Sequence, residues 1–338
     1  MFDQRPIVDL GDSQLSIPRL AVVGSYATGQ TLKVKRLPRP GETVLASGYR
    51  VDYGGKGSNQ AVGCARLGVE VVLVARIGRD AFGEMALRLY REEGIDITFV
   101  QQSPQLPTGV GFILVEAETG NNCIALDPGA NELLSAAEIA QCDPALKGVA
   151  VILTQLEIPV AAAEAALAHG RTNGAVTILN PAPVRPLPAS VLRLVDVLTP
   201  NQTEANVLTG RSPDTESEPE EVARDLIRAG VRKVVMTLGE KGALIVTASS
   251  AKHIPGMQVC AVDTTGAGDA FNAGLATALA CGETLESAVR FAVVTGGLAV
   301  TKEGVIPSLP RREELVQFYQ HRGLKPPSLL SAERSSRA

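Results

Sequence analysis

The 338-residue chain has no tryptophan, only three histidines and 4% aromatic residues, and its charges nearly cancel, with 32 Lys and Arg against 36 Asp and Glu. Each scarcity argues against a class of function. A formal net charge of −4 provides no basic field, so nucleic acid is not expected as a partner, because binding a phosphate backbone needs clustered Lys and Arg. His169, His253 and His321 are scattered, without the spacing of a hydrolytic metal site. No G-x-G-x-x-G follows the first apolar run to open a helix, which disfavours a dinucleotide-dependent dehydrogenase. The five cysteines, Cys64, Cys123, Cys142, Cys260 and Cys281, form no C-x-x-C pair and are odd in number. Reduced thiols in a reducing compartment are therefore expected. No stretch reaches the ~18 uninterrupted apolar residues of a membrane helix, so no membrane partner is expected. The first twenty residues contain Asp3, Asp9 and Asp12 and no sustained apolar run, unlike a secretory signal. Cytoplasmic location is the expectation.

What the chain does have is apolar residues (45%) and 33 glycines, over a length that suits one large α/β domain with a minor subdomain. Nearly continuous Val/Ile/Leu runs at 20–24, 71–75, 150–154, 175–179, 194–198 and 233–237 read as strands buried on both faces of a parallel sheet. Ala/Leu/Glu-rich segments between them, such as 159–169, read as helices. Ser217 followed by Glu220 has the spacing of a capping box ahead of Val222, Leu226 and Ile227. The fold class expected is a doubly wound, mainly parallel α/β sheet flanked by helices. Residues 31–52 and 97–126 break the rhythm, with 109–115 and 121–126 as antiparallel strands joined by a turn at Thr119-Gly120. They read as a small β-lid. The remaining divisions are an N-terminal extension over 1–18, the main domain over 19–310, a C-terminal helix over 311–324 and a mobile tail over 325–338. The acidic stretch 211–218 reads as a loop.

Chemistry is concentrated in two runs. The first is Asp263-Thr264-Thr265-Gly266-Ala267-Gly268-Asp269-Ala270-Phe271-Asn272, leading into a helical pattern through Leu275 and Leu279 that stops at Gly282. Small residues at a helix start let backbone N–H groups approach an anion, and the helix dipole adds positive potential. Gly266, Ala267 and Gly268 would thus cradle phosphate oxygens, with Asp269 placed to accept a proton from a bound hydroxyl as a phosphoryl group moves. A glycine-rich loop with an aspartate N-cap is the plainer reading of the same residues.

The second run is Gly54-Gly55-Lys56-Gly57-Ser58-Asn59-Gln60, entering a helix of small residues through Ala61, Ala65 and Gly68. The double glycine permits close backbone approach to a ligand, and Lys56 and Asn59 supply groups that can bind vicinal hydroxyls. Gly57 after Lys56 rules out a P-loop, which needs Ser or Thr there. A flexible turn with a solvated lysine is the bland alternative.

These two runs resemble the signatures of ribokinases, within the wider phosphofructokinase-B group of sugar kinases. Asn180-Pro181-Ala182-Pro183 and Thr199-Pro200-Asn201-Gln202-Thr203-Glu204 also match in order and spacing, and the likeness runs from about 20 to 309. The resemblance implies ATP, Mg²⁺ and a small sugar as ligands, with phosphoryl transfer to a primary hydroxyl of D-ribose or a related pentose or polyol. It further implies that Glu157 and the Gly54–Asn59 residues touch the sugar. Asn201 and Glu204 would organise the nucleotide phosphates, Glu204 holding Mg²⁺ through water. As a reciprocal helix cap the same two residues have a structural reading too. Thr237, Gly239, Lys241 and Gly242 would border the nucleotide, or simply form a hairpin turn. Asp263, Thr265, Ala299, Lys302, Gly304 and Ser308 align with a monovalent-cation site, implying activation by K⁺. A homodimer joined through the lid is implied as well.

One departure bears on the substrate. After the first strand, ribokinases carry Asn-x-Asp to bind sugar hydroxyls, and here Ala27 and Gly29 occupy those positions. Loss of both partners implies compensation by Thr28, Gln30 or a lid residue, or a substrate other than ribose. A nucleoside kinase of the same fold is the nearest alternative, with Tyr26, Tyr49, Tyr53 and Phe112 as its few stacking candidates. A sugar- or nucleotide-sensing protein without turnover is the other, opposed by the presence of Asp269, Asn201 and Glu204.

Overall fold

The computed structural model describes residues 17–331. Residues 1–16 of the expected N-terminal extension and 332–338 of the expected tail lie outside that range. The strands are β1 (Arg19–Val23), β2 (Ala27–Val34), β3 (Ala46–Gly54), β4 (Glu70–Gly78), β5 (Asp96–Ser103), β6 (Gly109–Glu116), β7 (Asn122–Asp127), β8 (Val151–Thr154), β9 (Val176–Leu179), β10 (Val197–Leu198), β11 (Lys233–Thr237), β12 (Gly242–Val246) and β13 (Ala251–Pro255). Nine of them form one sheet in the order β13-β12-β11-β10-β9-β8-β1-β4-β5. Pairing is parallel from β11 to β5, while β12 and β13 add an antiparallel edge.

The apolar runs form strands because both their faces are covered. Along β1, Leu20 and Val22 join one core while Ala21 and Val23 join the other. On β4, Val71, Leu73, Ala75 and Ile77 face the first core, and Val72 and Val74 the second. Period-2 alternation therefore feeds two helical layers. Helices Lys56–Arg66, Ala81–Glu92, Ala267–Ala280 and Leu285–Ala299 cover one face; Val160–Asn173 and Pro219–Arg228 cover the other. Each fully buried Val or Leu contributes ~1.5–3 kcal/mol, so the sheet centre carries much of the hydrophobic stabilisation.

A second sheet has the order β3-β2-β6-β7, with β2/β6 parallel and the outer pairs antiparallel. The hairpin of β6 and β7 turns where Thr119-Gly120 was expected, Gly120 N bonding Glu116 O at 2.9 Å. Residues 97–103, expected in this small sheet, instead extend the large one: β5 pairs parallel with β4. The crossover helix that makes this possible is Ala81–Glu92, an amphipathic segment capped by Asp80.

Three further expectations change. The helix Pro219–Arg228 buries Val222, Ala223 and Leu226, but Glu218 precedes it and Ser217 makes no cap. Ser217 Oγ bonds Asn206 Oδ1 at 2.8 Å instead, because Pro219 at the first position already suits the helix start. Of 194–198, only Val197–Leu198 is strand. Part of the expected mobile tail is packed: Ser328–Ser331 is a short helix whose Leu329 and Leu330 are buried, and Ser328 N bonds Glu283 Oε1 at 3.0 Å. The C-terminal helix before it spans Arg312–His321. No helix among the described residues is long and apolar enough to cross a membrane.

Candidate active site

The two glycine-rich runs, more than 200 positions apart, meet at Asp269. Asp269 lies in the first turn of Ala267–Ala280 and is only 5% exposed. Asn59 Nδ2 donates to its Oδ2 at 2.8 Å and Gln60 Nε2 to its Oδ1 at 2.9 Å. Both donors stand on the first turn of Lys56–Arg66. Contact between the two helices is close because Gly63 has no side chain: a Cβ there would lie 2.6 Å from Ala273 Cβ.

Gln60 also gives Nε2 to Asn180 Oδ1 at 3.1 Å, while its Oε1 accepts from Gln155 Nε2 at 2.5 Å. Thr199 Oγ1 donates to Asn272 Oδ1 at 2.6 Å, and Asn272 Nδ2 to Gly268 O at 2.8 Å. Gln155, Asn180 and Thr199 directly follow β8, β9 and β10. The site therefore sits at the C-terminal edge of the parallel strands, where such sheets bind ligands. No role fell to Gln60, Gln155, Asn180, Thr199 or Asn272 in the sequence, although their signal was present: polar amides and hydroxyls amid small or apolar residues.

The helix start is open toward ligand. Gly266 has φ 79° and its Cβ would lie 2.7 Å from Val305 Cγ1, so glycine is required there. A Cβ on Gly268 would meet nothing within 4 Å. The N–H groups of Gly268 and Asp269 find no backbone acceptor among the described residues, as expected of a helix N-terminus. These donors and the dipole can stabilise negative charge developing beside Asp269.

Two adjoining clefts flank this point. One, of about 910 Å³, runs along Asn201, Thr237, Gly239, Glu240, Lys241 and Gly242 to the apolar wall of Met257, Phe271, Val293 and Val300. The other, of about 160 Å³, is lined by Lys56, Glu204, Gly266, Asp269 and Asn272, and shares Asn201, Thr237 and Gly268 with the first. The Thr237–Gly242 segment is a hairpin turn between β11 and β12 and a cleft wall at once.

Asn201 and Glu204 form a reciprocal cap: Glu204 N donates to Asn201 Oδ1 at 2.7 Å and Asn201 N to Glu204 Oε2 at 2.9 Å. Burial pushes the Glu204 carboxyl above its ordinary range, against the opposing effects of the Asn201 N–H and the Lys56 charge. Lys56 is half-buried, and the negative charge of Asp269, ahead of Glu157 and Glu204, holds its ammonium above the usual range despite desolvation. Glu157 Oε2 accepts from Lys56 N at 2.8 Å and Ser25 Oγ at 2.6 Å, fixing the turn at Gly54-Gly55.

Asp263 ties two loops together, Oδ1 accepting from Thr265 N at 2.9 Å and Oδ2 from Gly304 N at 3.0 Å. Burial acts to raise its pKa, but these bonds prevail and hold it low. Ala299, Lys302 and Ser308 belong to the same segment as Gly304; Lys302 N bonds Ala299 O at 3.2 Å and Ser308 Oγ bonds Val305 O at 2.8 Å. The Lys302 ammonium pairs with Glu314.

Of the expected stacking aromatics, Tyr26 is withdrawn: it is fully buried, edge-on to Tyr90 at 6.2 Å, and burial pushes its hydroxyl up to about 12. Tyr53 and Phe112 pair across β2 with Thr28 and Gln30, on the sheet face opposite to Ala27 and Gly29. Tyr49 bonds Gln30 Oε1 at 3.1 Å and is 62% exposed.

Comparison with known proteins agrees with this geometry. Residues 18–312 match the model of the pfkB family of carbohydrate kinases. The chain is 38% identical to the ribokinase of Haemophilus influenzae, over 89% of this chain and 98% of that one. It is 35% identical to the deoxyribokinase of Salmonella typhi, over 88% and 98%. The crystal structure of ribokinase from Thermotoga maritima superimposes with a TM-score of 0.82 at 35% identity, covering 90% of this chain and 100% of that one. With its two signature runs meeting at a buried aspartate and likeness along nearly its whole length, the chain belongs to the pfkB family of carbohydrate kinases: it is a sugar kinase, a phosphotransferase.

Proposed function

We propose that the chain transfers the γ-phosphoryl group of ATP to a primary hydroxyl of a small sugar, a pentose or polyol, with Asp269 as general base. The observation that carries this reading is the carboxylate of Asp269, buried beside two helix-start N–H groups that find no backbone acceptor among the described residues, where two clefts adjoin. Both carboxylate oxygens already accept an amide N–H, so the remaining lone pairs have a set direction for the acceptor hydroxyl. As that hydroxyl attacks, its proton passes to Asp269, and the N–H groups at Gly268 and Asp269 compensate the charge on the migrating phosphoryl oxygens. The larger cleft, with Asn201, Thr237, Gly239, Lys241 and Gly242 along it, has room and an apolar wall for a nucleoside triphosphate. The sugar lies against Gly54, Gly55, Lys56, Asn59 and Glu157. A solved structure of Arabidopsis thaliana ribokinase complexed with ribose and ATP, 28% identical with a TM-score of 0.81, supports the pairing of ligands.

The donor set fits a hydrated divalent ion. Glu204 commits Oε2 to the Asn201 cap, leaving Oε1 to bind Mg²⁺ through water, as that ion's firm hydration favours. When bound, Mg²⁺ would neutralise phosphate charge; no cluster of three ligating side chains exists among the described residues to hold it without the nucleotide. Asp263, Thr265, Ala299, Lys302, Gly304 and Ser308 would hold K⁺ where Asp263 joins their two segments through Thr265 N and Gly304 N, and the ion would stiffen the loop leading to Gly266. A homodimer through the small sheet is supported by Ile124 and Leu126, exposed apolar side chains on one of its faces.

Acceptor-dependent release of ADP, measured over a panel of pentoses, hexoses, polyols and nucleosides, tests the reading, with chelation of divalent ions and exchange of K⁺ for Na⁺ as further arms. Absence of turnover with every sugar, or turnover with nucleosides alone, would overturn it.

A further inference from the structure

The small sheet carries a bare patch on the face that turns toward the base. Cross-strand partners share a face, and the register places Ala27 beside Gly54 and Gly109, Gly29 beside Asp52 and Gly111, and Thr31 beside Arg50 and Ile113. That face looks at the catalytic loops: Arg50 Nη1 lies 3.5 Å from Glu303 Oε1, next to the Gly304 that bonds Asp263. From the same strand, β3, the chain passes through Gly55 straight into the helix that holds Asn59 on Asp269.

The floor of this recess is formed by Ala27, Gly29, Gly54, Gly109 and Gly111, with Leu126 beside Gly111 and Ile113 as its apolar margin, and its backbone groups are engaged in the sheet ladder. A Cβ on Gly29 would meet only Ile113 Cδ1 at 3.6 Å and Asp52 O at 3.9 Å, both ordinary contacts, so the space over it is open. Polar recognition must come from the edges. At the near edge, Asn59 is 5% exposed and its Oδ1 has no partner among the described residues, although its Nδ2 is committed to Asp269. At the far edge stands Asp52, directly across from Gly29. Among the described residues only Arg50 bonds its carboxylate, at Oδ2, and Oδ1 is left to accept.

We propose that Asp52, oriented by Arg50, is the specificity-determining residue of the acceptor site, and that the acceptor is a polyhydroxylated compound longer or more branched than a five-carbon sugar. The carboxylate accepts from one of two vicinal hydroxyls at the end of the substrate remote from Asp269, and the Arg50 guanidinium donates to the other. The additional carbon occupies the volume above Ala27 and Gly29. This rests on the kinase reading above and, among the small sugars and polyols it allows, sets pentoses aside in favour of larger or branched acceptors.

The experiment compares five- and six-carbon sugars and polyols as acceptors for the wild type, Asp52→Asn and Gly29→Asp. Losing a hydrogen bond to a charged group should raise KM for the preferred six-carbon or branched acceptor about tenfold or more in Asp52→Asn, with KM for ATP moving less than about twofold. Gly29→Asp, which the open space admits, should lower kcat/KM for that acceptor by a similar factor and raise it for five-carbon sugars. A merely structural ion pair would lower Tm and leave acceptor KM alone; that result overturns the proposal, as does a wild-type preference for ribose over every larger acceptor. Failure of all acceptors in the wild type would instead remove the kinase reading, and this inference with it.

Discussion

Gln60 Nε2 stands 2.9 Å from Asp269 Oδ1, so an amide on one helix aims the carboxylate on another. An amide N–H cannot take up an acceptor's proton, so on the proposed mechanism Gln60 fixes orientation and Asp269 is the base. The two roles separate in kinetics. Asp269→Asn should lower kcat by about 10²–10⁴-fold while nucleotide affinity, read by calorimetry, stays nearly constant. Gln60→Ala should lower kcat by about tenfold with little change in either KM. It also strands Gln155 Nε2 and Asn180 Oδ1, at a cost of ~1–3 kcal/mol in urea unfolding.

Gly63 tests the helix contact beneath that pair. With 2.6 Å between a new Cβ and Ala273 Cβ, Gly63→Ala must push Lys56–Arg66 away from Ala267–Ala280, costing ~1–3 kcal/mol. Activity should fall with stability, because Asn59, Gln60 and Asp269 move apart. The double variant Gly63→Ala, Ala273→Gly should recover most of both, as measured by Tm and kcat.

For Glu204 the pH dependence has a defined sign. Its folded-state pKa is raised by burial, so its contribution to stability is full below the ordinary carboxyl pKa and is lost as pH rises through the folded value. At neutral pH the buried charge is therefore destabilising. Glu204→Gln keeps a side-chain oxygen for the Asn201 cap and should raise Tm at pH 7–8, the gain vanishing below about pH 4. Phosphorylation should nevertheless drop by about 10²-fold.

Arg66 and Glu93, 2.6 Å apart and about nine-tenths buried, brace the rear of the site. Arg66 Nη1 also donates to Ile306 O at 2.6 Å and Leu309 O at 3.0 Å, linking the Asn59-bearing helix to the segment after Gly304. Glu93→Ala leaves the guanidinium uncompensated and should cost ~3–5 kcal/mol in chemical denaturation.

Much of this was legible in the chain because buried parallel strands are written as unbroken apolar runs, and because the Gly54–Gln60 and Asp263–Asn272 runs are short and chemically odd. Three things were not. The amides Gln60, Gln155 and Asn180 acquire meaning only when three strand ends and a helix converge, which no local pattern encodes. Ser217 has the composition of a cap, but Pro219 starts the helix without it and Asn206 claims its hydroxyl. Residues 97–103 lack the alternation that would assign them to either sheet, and their place beside β4 is decided by the packing of Ala81–Glu92.

Gly55 joins the small sheet to the catalytic helix without an intervening loop. Its φ of 85° is one that L side chains rarely adopt, and a Cβ would lie 2.7 Å from both Ala27 N and Tyr26 Cα. With β3 ending at Gly54 and the helix starting at Lys56, the two elements are joined through this one constrained residue, and the helix carries Asn59 in its first turns. On the proposed mechanism, an acceptor seated against the small sheet would therefore be coupled directly to the side chains that hold the base.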